Sequence, residues 1–289
     1  MNNYTASTTR SALPLFGGPS SKVFLYANAA QNLLNTGLHV AKGAQQLYLY
    51  HNGRYVPGEE LLRGHLANDL ASDWSPARAD AIGRWLYDSA PDLWERPPLD
   101  RVNVANGILD LASAALVPHT PEFLSPVQCP IAHDPEARPT LMTRFLHQVL
   151  PGDGARLVLK LSGWLLVPDT SMQVAALFVG DGANGKSVLL AAMEALVGPE
   201  NVSHHSLHVL SHNRFATADL YGKLANIAAD IPGVALEDTS VFKAMTGGDR
   251  LQAERKFRPS FSFTPFARLI FSGQEVPPAP DRSYGYQRR

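Results

Sequence analysis

The feature that most constrains this chain is a short apolar run followed at once by a glycine-rich octapeptide. The run is Val174–Val179, and the octapeptide matches the pattern G-x-x-x-x-G-K-[ST]: Gly180-Asp181-Gly182-Ala183-Asn184-Gly185-Lys186-Ser187. Apolar residues at helical spacing then continue to Gly198-Pro199, which ends the pattern. The run predicts a buried strand of a parallel sheet, and the whole stretch predicts a strand, a loop and a helix in that order.

The octapeptide has the chemistry of a phosphate-binding loop. Its glycines let backbone N–H groups close around a phosphate at the positive end of a helix. Lys186 would place its charge between the β- and γ-phosphates of a nucleoside triphosphate, and the Ser187 hydroxyl would ligate Mg²⁺. A coincidental match is rare, and the flanking strand and helix patterns make it rarer. All eight residues are therefore candidate nucleotide-binding residues.

A second apolar run, Leu224–Ala229, leads directly to Asp230. An acid at the carboxyl end of a strand is where the magnesium ion of a nucleotide is held in proteins with such a loop. The alternative is a loop aspartate that caps the next element. No second acid adjoins Asp230, so Glu237 and Asp238, further along the chain, are the candidates for polarising the attacking water.

The charge balance changes along the chain. The 289 residues have a formal net charge of −1, with 45% hydrophobic and 18% charged side chains, which excludes general disorder. Residues 242–289 alone have nine basic and four acidic side chains, a net of +5, and the preceding residues have a net of −6. Arg255, Lys256 and Arg258, with Phe257 among them, combine charges for phosphates with a ring for bases. The segment predicts contact with single-stranded nucleic acid; the alternative is a solvated basic hairpin.

Sequence patterns divide the chain into three parts. Residues 1–22 are rich in Ser, Thr, Asn and Gly and predict a disordered tail. Residues 23–138 contain two hairpin signals, Asn52-Gly53 and Ala105-Asn106-Gly107, and predict a smaller α+β domain. Residues 139–289 follow a proline-rich connector and predict an α/β domain with a parallel central sheet. We find no apolar run long enough for a membrane helix and no signal peptide, so the expected location is the cytoplasm.

In combination these motifs resemble the superfamily 3 helicases, above all the phage and plasmid primase–helicase family, which is related to the poxvirus nucleoside triphosphatase. Five ordered motifs carry the resemblance: the octapeptide, the strand ending at Asp230, the block Phe242–Lys256, the strand ending near Gln274, and the pair Arg288-Arg289. Upstream, Val102–Leu111 and Pro118–Pro121 resemble the lead-in domain of that family. The resemblance covers about residues 45–289.

The resemblance implies an AAA+-like P-loop core that assembles as a hexameric ring and moves along single-stranded DNA by hydrolysing ATP with Mg²⁺. It implies that Lys186 binds phosphate and that Ser187 and Asp230 hold the magnesium ion. Lys256, with Arg255 beside it, would be the DNA-contacting tip of a hairpin. Arg288 or Arg289 would act as an arginine finger on the nucleotide of a neighbouring subunit. Gln274 occupies the sensor position, where the family usually has Asn.

The resemblance further implies a role in replicating phage, prophage or plasmid DNA in a bacterial cytoplasm, with a primase or a replication initiator as a partner. The family continues past the arginine pair with another strand and often a winged helix, so the chain is expected to be truncated at the arginine motif. The alternative is a nucleotide-binding or subunit-binding protein that does not unwind DNA. A small-molecule kinase fits poorly, because no lid-like arginine cluster is found apart from the terminal pair.

Three histidines are the remaining candidates for a site. His204, His208 and His212 lie four residues apart, which would align them on one face of a helix for a metal ion. No acid or cysteine joins them nearby, so surface or half-buried histidines are the better interpretation.

Overall fold

An antiparallel hairpin organises the first part of the chain. In the computed structural model, which describes residues 12–236 and 238–289, the first sheet has three strands in sequence order: β1 (Val40–Gly43), β2 (Gln46–His51) and β3 (Arg54–Pro57). Asn52 and Gly53 connect β2 to β3, and both have positive φ, +48° and +87°. A two-residue hairpin turn of the favoured type needs this conformation, so the predicted hairpin is confirmed.

Three helices pack with this sheet: α1 (Tyr26–Asn35), α2 (Glu59–Leu70) and α3 (Pro76–Ser89). α3 begins with the expected cap, because Ser75 Oγ accepts the Arg78 N–H at 3.3 Å and Pro76 occupies the first helical position. The apolar faces of these elements share one core, whose larger members are Leu33, Leu49, Leu62, Leu66, Leu70, Ile82 and Leu86. These residues form a compact unit that ends at Leu93.

The first eleven residues of the expected tail lie outside the described residues. Residues 12–22 are tied to the unit: Leu13 and Asn32 of α1 exchange two hydrogen bonds, at 2.8 and 2.9 Å, and the Phe16 ring contacts Phe24 edge-to-face. This part therefore differs from the disordered tail that its composition predicts, because two aromatic rings and an asparagine fix it to α1.

Residues 94–289 form the second unit, which begins with a small antiparallel sheet and two helices: β4 (Arg101–Val104), β5 (Gly107–Asp110), β6 (Leu116–Val117), α4 (Thr140–Val149) and α5 (Gly154–Leu165). Val102 and Cys129 lie in the same apolar core as Leu146 and Val158, and burial raises the pKa of the Cys129 thiol to about 12. The proline-rich segment therefore connects parts of one unit, which differs from the sequence division at residue 138.

The centre of the second unit is a parallel sheet of four strands: β7 (Ala176–Val179), β8 (Val202–Ser203), β9 (Ala225–Ala228) and β12 (Arg268–Gly273). Their order across the sheet is β7-β12-β9-β8, so β12 lies between β7 and β9. β9 and β12 are buried along their whole length. The mixed α/β architecture with a parallel central sheet is as predicted. β7 is only half-buried, contrary to the buried strand that its apolar run predicts, because it lies at the edge.

The remaining elements lie between these strands, except for α10, which follows β12: α6 (Lys186–Val197), α7 (Leu207–His212), α8 (Arg214–Ala218), α9 (Ser240–Gly247), β10 (Leu251–Ala253), β11 (Phe261–Phe263) and α10 (Tyr284–Gln287). β10 and β11 form a separate antiparallel hairpin. No helix within the described residues is both long and apolar enough to cross a membrane.

Arg268 is a charged residue inside this unit. Its side chain is 2% exposed, and its guanidinium donates to Phe266 O at 2.8 Å and to Trp164 O at 2.7 Å. The same group lies over the Trp164 ring, 4.8 Å from its centroid. Burial lowers the pKa of Arg268 to about 9, against a raising effect of Asp169. The buried charge thus ties β12 to the end of α5.

We expect Arg268→Met to destabilise the protein by about 3 kcal/mol, because it leaves two buried carbonyl groups without their donor. Urea unfolding followed by circular dichroism measures the change in the free energy of unfolding. Arg138→Met is the matched control, since the Arg138 side chain is 68% exposed, and its effect should be within about 0.5 kcal/mol. Equal effects of the two substitutions would show that the buried contacts of Arg268 contribute nothing.

Candidate functional site

The octapeptide forms a loop that turns from β7 into α6. Ala183 and Gly185 both have left-handed backbone conformations, with φ of +59° and +87°, and Gly185 is the residue before the first turn of α6. A side chain at Gly185 would also meet the rings and methyl groups of α4, because a Cβ there would lie 3.1 Å from Val149 and 3.3 Å from Phe145. The loop therefore needs glycine at this position both for its conformation and for its packing.

The Lys186 ammonium group lies over this loop. It donates to Gly180 O, to Asp181 O at 2.9 Å and to Asn184 Oδ1 at 3.0 Å. Ser187 follows in the first turn of α6 and is exposed. The positive end of α6, the lysine charge and an accessible hydroxyl thus lie together, which fits the phosphate groups and Mg²⁺ of a nucleoside triphosphate.

Three strand ends meet beside the loop. The Gly180 N–H donates to Gly273 O, the last residue of β12, at 3.3 Å. On the other side of β12, Ser272 Oγ accepts the Asp230 N–H at 3.4 Å, and Ser272 O accepts the Ile231 N–H at 2.9 Å. Asp230 has φ of +50°, so the chain turns at this residue just after β9. A ladder of backbone contacts therefore brings together the loop, Asp230 and the position of Gln274.

Gln274 and Asp230 are both exposed at this edge of the sheet. Parallel strands bring their carboxyl ends to one edge, where ligands bind in open α/β sheets. The structure therefore brings together the glycine-rich loop, the acid and the amide, which the sequence indicated as separate candidates.

The acids proposed to polarise water fall in different places. Asp238 Oδ1 accepts the Ser240 N–H at 2.7 Å, and the backbone and side chain of Ser240 hold the pKa of Asp238 below its usual value. Asp238 is therefore engaged at the start of α9. Glu237 lies outside the described residues. Glu275, which the sequence reading missed, follows Gln274, and its carboxylate lies against Gly233 in the loop after Asp230. The sequence feature that points to Glu275 is an acid directly after the polar end of a strand.

The basic hairpin has a charged and aromatic tip. Lys256, Phe257 and Arg258 are exposed at the turn between β10 and β11, and Phe257 has φ of +62°. Arg255 differs, because its guanidinium lies 5.0 Å from the centroid of the Phe261 ring and 5.9 Å from that of Tyr221. Arg255 therefore packs on the base of the hairpin, and the tip consists of the other three residues.

The arginine pair lies at the other end of β7. Arg289 O accepts the Ala175 N–H at 2.9 Å, immediately before β7 begins, whereas Gly180 follows its last residue. The Arg288 guanidinium is exposed and donates to Gln173 Oε1. The Arg289 guanidinium is half-buried, donates to Gly285 O and lies close to Gly247. Within one chain, the pair and the phosphate-binding loop are separated by the length of a strand.

Comparisons with known proteins match both parts of the chain. Residues 49–151 match a family model described as D5 N terminal like. Residues 178–289 match a model described as a family of unknown function, DUF5906. Three solved structures of the NrS-1 C-terminal region, two of them A form apo structures and one an apo structure, have TM-scores of 0.51, 0.51 and 0.54 and are 16%, 15% and 14% identical. They match 86–88% of this chain, which spans 56–58% of theirs.

At 14–16% identity, the structural likeness shows a shared fold. The D5-like match includes the residues that resemble the lead-in domain of the primase–helicase family, and so supports that resemblance. The family match over residues 178–289 includes the glycine-rich loop, Asp230, Gln274, the basic hairpin and the arginine pair, and the description of that family names no activity.

His204, His208 and His212 do not share one helix, because α7 begins only at Leu207. His204 precedes α7, where its Nδ1 contacts Ile227 O at 3.0 Å, and His208 Nε2 contacts Val234 O at 3.0 Å. No group of three potential metal ligands from histidine, cysteine or acid side chains occurs in the part of the chain that the structure describes. These two imidazoles contact backbone carbonyl groups.

Proposed function

We propose that this chain is the ATP-hydrolysing and strand-binding part of a DNA translocase that serves phage, prophage or plasmid replication. The observation that carries the proposal is the ladder of hydrogen bonds that joins the phosphate-binding loop, Asp230 and the end of β12 at one sheet edge. Lys186 binds the β- and γ-phosphates, and Ser187 and Asp230 hold Mg²⁺, which neutralises charge on the transferred phosphoryl group. Gln274 orients the attacking water.

Single-stranded DNA is the proposed second ligand. Lys256 and Arg258 at the hairpin tip supply charge for backbone phosphates, and Phe257, which is fully exposed, supplies a ring on which a base stacks. A large apolar ring is seldom fully exposed to solvent, and stacking on a base would account for its exposure. Glu254, which directly follows β10 at the turn end of the hairpin, forms an ion pair with Arg214 of α8 at 3.0 Å, and this pair supports the tip.

The proposed assembly is a ring, which the resemblance gives as hexameric. The position of Arg288 at the far end of β7 supports it, because an exposed guanidinium there reaches a nucleotide only on a neighbouring subunit. A heterologous contact of this kind gives a ring when the rotation between subunits closes, and the proposed assembly is this closed form. A primase or a replication initiator is the proposed protein partner.

The test compares ATP turnover with and without a single-stranded oligonucleotide, in the wild-type protein and in Phe257→Ala. We expect the DNA to increase turnover, and the substitution to weaken DNA binding by about 5- to 150-fold, since stacking of one base contributes about 1–3 kcal/mol. Fluorescence anisotropy of a labelled oligonucleotide measures this binding. Trp74→Ala, which removes a partly exposed ring from the first unit, is the control and should bind DNA as the wild type does.

Three outcomes would contradict this function. Turnover that DNA does not change would exclude a translocase and would favour a nucleotide-binding protein that does not unwind. Turnover that needs a small-molecule acceptor would indicate a kinase. Normal DNA affinity of Phe257→Ala would remove the hairpin tip from the DNA site.

A further inference from the structure

Asp281 lies in the segment between β12 and α10 and accepts three hydrogen bonds. Two come from α9 and its cap: Thr239 Oγ1 at 2.5 Å and Lys243 Nζ at 2.8 Å. The third is the Ser283 N–H at 2.9 Å, just before α10. One carboxylate therefore joins the first two turns of α9 to the beginning of α10.

This contact is partly removed from water. The side chains of Asp281 and Lys243 are 18% and 35% exposed, respectively. The Lys243 ammonium, followed by Ser283 and Thr239, holds the pKa of Asp281 well below its usual range. Tyr286, on α10, has a raised pKa because of burial and then the Asp281 charge. The aspartate is therefore charged, and its charge is satisfied mainly by α9.

α9 contacts the segment that carries the arginine pair at further points. The Leu236 N–H, shortly before α9, donates to Pro278 O at 2.9 Å, and the Phe242 ring contacts Tyr286 edge-to-face, with centroids 5.6 Å apart. Near the end of α9, the Arg289 guanidinium approaches Gly247. Residues 278–289 are thus attached along the length of α9.

The other end of α9 leads directly to the DNA hairpin. α9 ends at Gly247, Gly248 adopts the left-handed conformation, and β10 begins at Leu251. Only three residues separate the helix from the first strand of the hairpin. The hairpin and α9 are therefore closely linked along the chain.

We propose that Asp281 is a positioning residue that, through Lys243, fastens the arginine segment to α9 and so couples the hairpin tip to the arginine pair. This inference rests on the proposed function, because it gives the hairpin a DNA strand and the arginines a neighbouring nucleotide. With the ion pair intact, α9 and residues 278–289 move as one body. Without the Asp281 charge, the attachment weakens where the segment starts, and DNA contact no longer places the arginines.

The experiment measures the ratio of ATP turnover with single-stranded oligonucleotide to turnover without it. Asp281→Asn keeps the size of the side chain and one acceptor oxygen, which can keep the bond from the Ser283 N–H, while it removes the charge and the second oxygen that accepts from Thr239 and Lys243. We expect this ratio to fall by about fivefold or more, because about fivefold is the lower end of the usual range of coupling between two sites. DNA affinity, measured by anisotropy, should stay that of the wild type, because Asp281 does not contact the tip.

Two further variants separate positioning from a general loss of structure. Lys243→Met should lower the ratio as Asp281→Asn does, the double variant should lower it no further, and Lys243→Arg, which keeps the pair, should retain it. Asp219→Asn is the matched control, because this exposed carboxylate pairs with His205 elsewhere in the unit, at 3.0 Å.

Each outcome of these measurements either supports or contradicts the coupling through Asp281. If the wild-type protein shows no stimulation by DNA, the proposed function fails and this inference fails with it. If the wild type is stimulated and Asp281→Asn is stimulated equally, the inference alone is overturned. Loss of DNA affinity in Asp281→Asn, additive effects in the double variant, or an equal effect of Asp219→Asn would also overturn it. The expected pattern supports the coupling.

Discussion

Replacement of Lys186 by alanine is expected to lower ATP turnover by about 100-fold or more, the usual size of the loss when one preorganised donor to a transition state is removed. The Lys186 ammonium lies over the loop on three oxygen acceptors, close to the positive end of α6. Without it, the charge that develops on the β- and γ-phosphates has no cationic partner from the loop. A coupled assay of ADP release, with and without DNA, measures the effect.

Lys160→Ala is the matched control for this substitution. Lys160 is an exposed lysine of α5 in the same unit, and its removal should leave turnover unchanged. Thermal unfolding should be similar for both variants, because the Lys186 side chain is not part of the apolar core. A Lys186→Ala protein that hydrolyses ATP as the wild type does would exclude this loop as the site of hydrolysis.

The local parts of this site could be predicted from the sequence. The octapeptide, the apolar run before it and the helix pattern after it are contiguous, so their structure follows from short-range rules. The same holds for the hairpin at Asn52-Gly53 and for the cap of α3 at Ser75. Asp230 could be identified because it follows an apolar strand, where parallel strands place their functional residues.

The order of the strands could not be predicted, because it depends on contacts between distant segments. β12 comes last of the four strands in the chain, yet it lies between β7 and β9. This position is what brings Gln274 between the phosphate-binding loop and Asp230. It also leaves β7 at the edge, where an apolar run is only half-buried.

The sequence pattern also could not predict which partners the individual side chains contact. Arg255 and Lys256 are adjacent and equally basic, but Arg255 stacks on Phe261 and only Lys256 reaches the tip. Asp238 is an acid near the right strand, yet Ser240 engages it. Prolines between residues 118 and 139 suggested a boundary, but the core on both sides is continuous. In each case, a long-range contact or a local hydrogen bond decides the role.

Replacement of Arg288 by alanine is expected to cause the largest loss of turnover, about 10³-fold. This value is the lower end of the usual contribution of an arginine finger to the turnover rate. Arg288 is exposed and held by Gln173, at the end of β7 opposite the phosphate-binding loop. The five steps of the backbone from Ala175 to Gly180 span about 16 Å in an extended strand, which is longer than an arginine side chain. In the proposed ring, we therefore expect the Arg288 guanidinium to contact the nucleotide of a neighbouring subunit. ATP turnover of the assembled variant measures the loss, and Arg282→Ala, at an exposed arginine of the same segment, is the control.

Mixing two inactive variants tests whether the arginine acts between subunits. In a mixture of Arg288→Ala with Lys186→Ala, a subunit with an intact loop that follows one with an intact arginine forms a complete site. Equal, random assembly makes about one interface in four complete, so turnover should recover to about a quarter of the wild-type value. An arginine that acts within its own chain would leave the mixture inactive, because no subunit then has both groups. Full activity of Arg288→Ala alone, with loss in Arg289→Ala, would assign the finger to Arg289 and would require its half-buried side chain to turn outward.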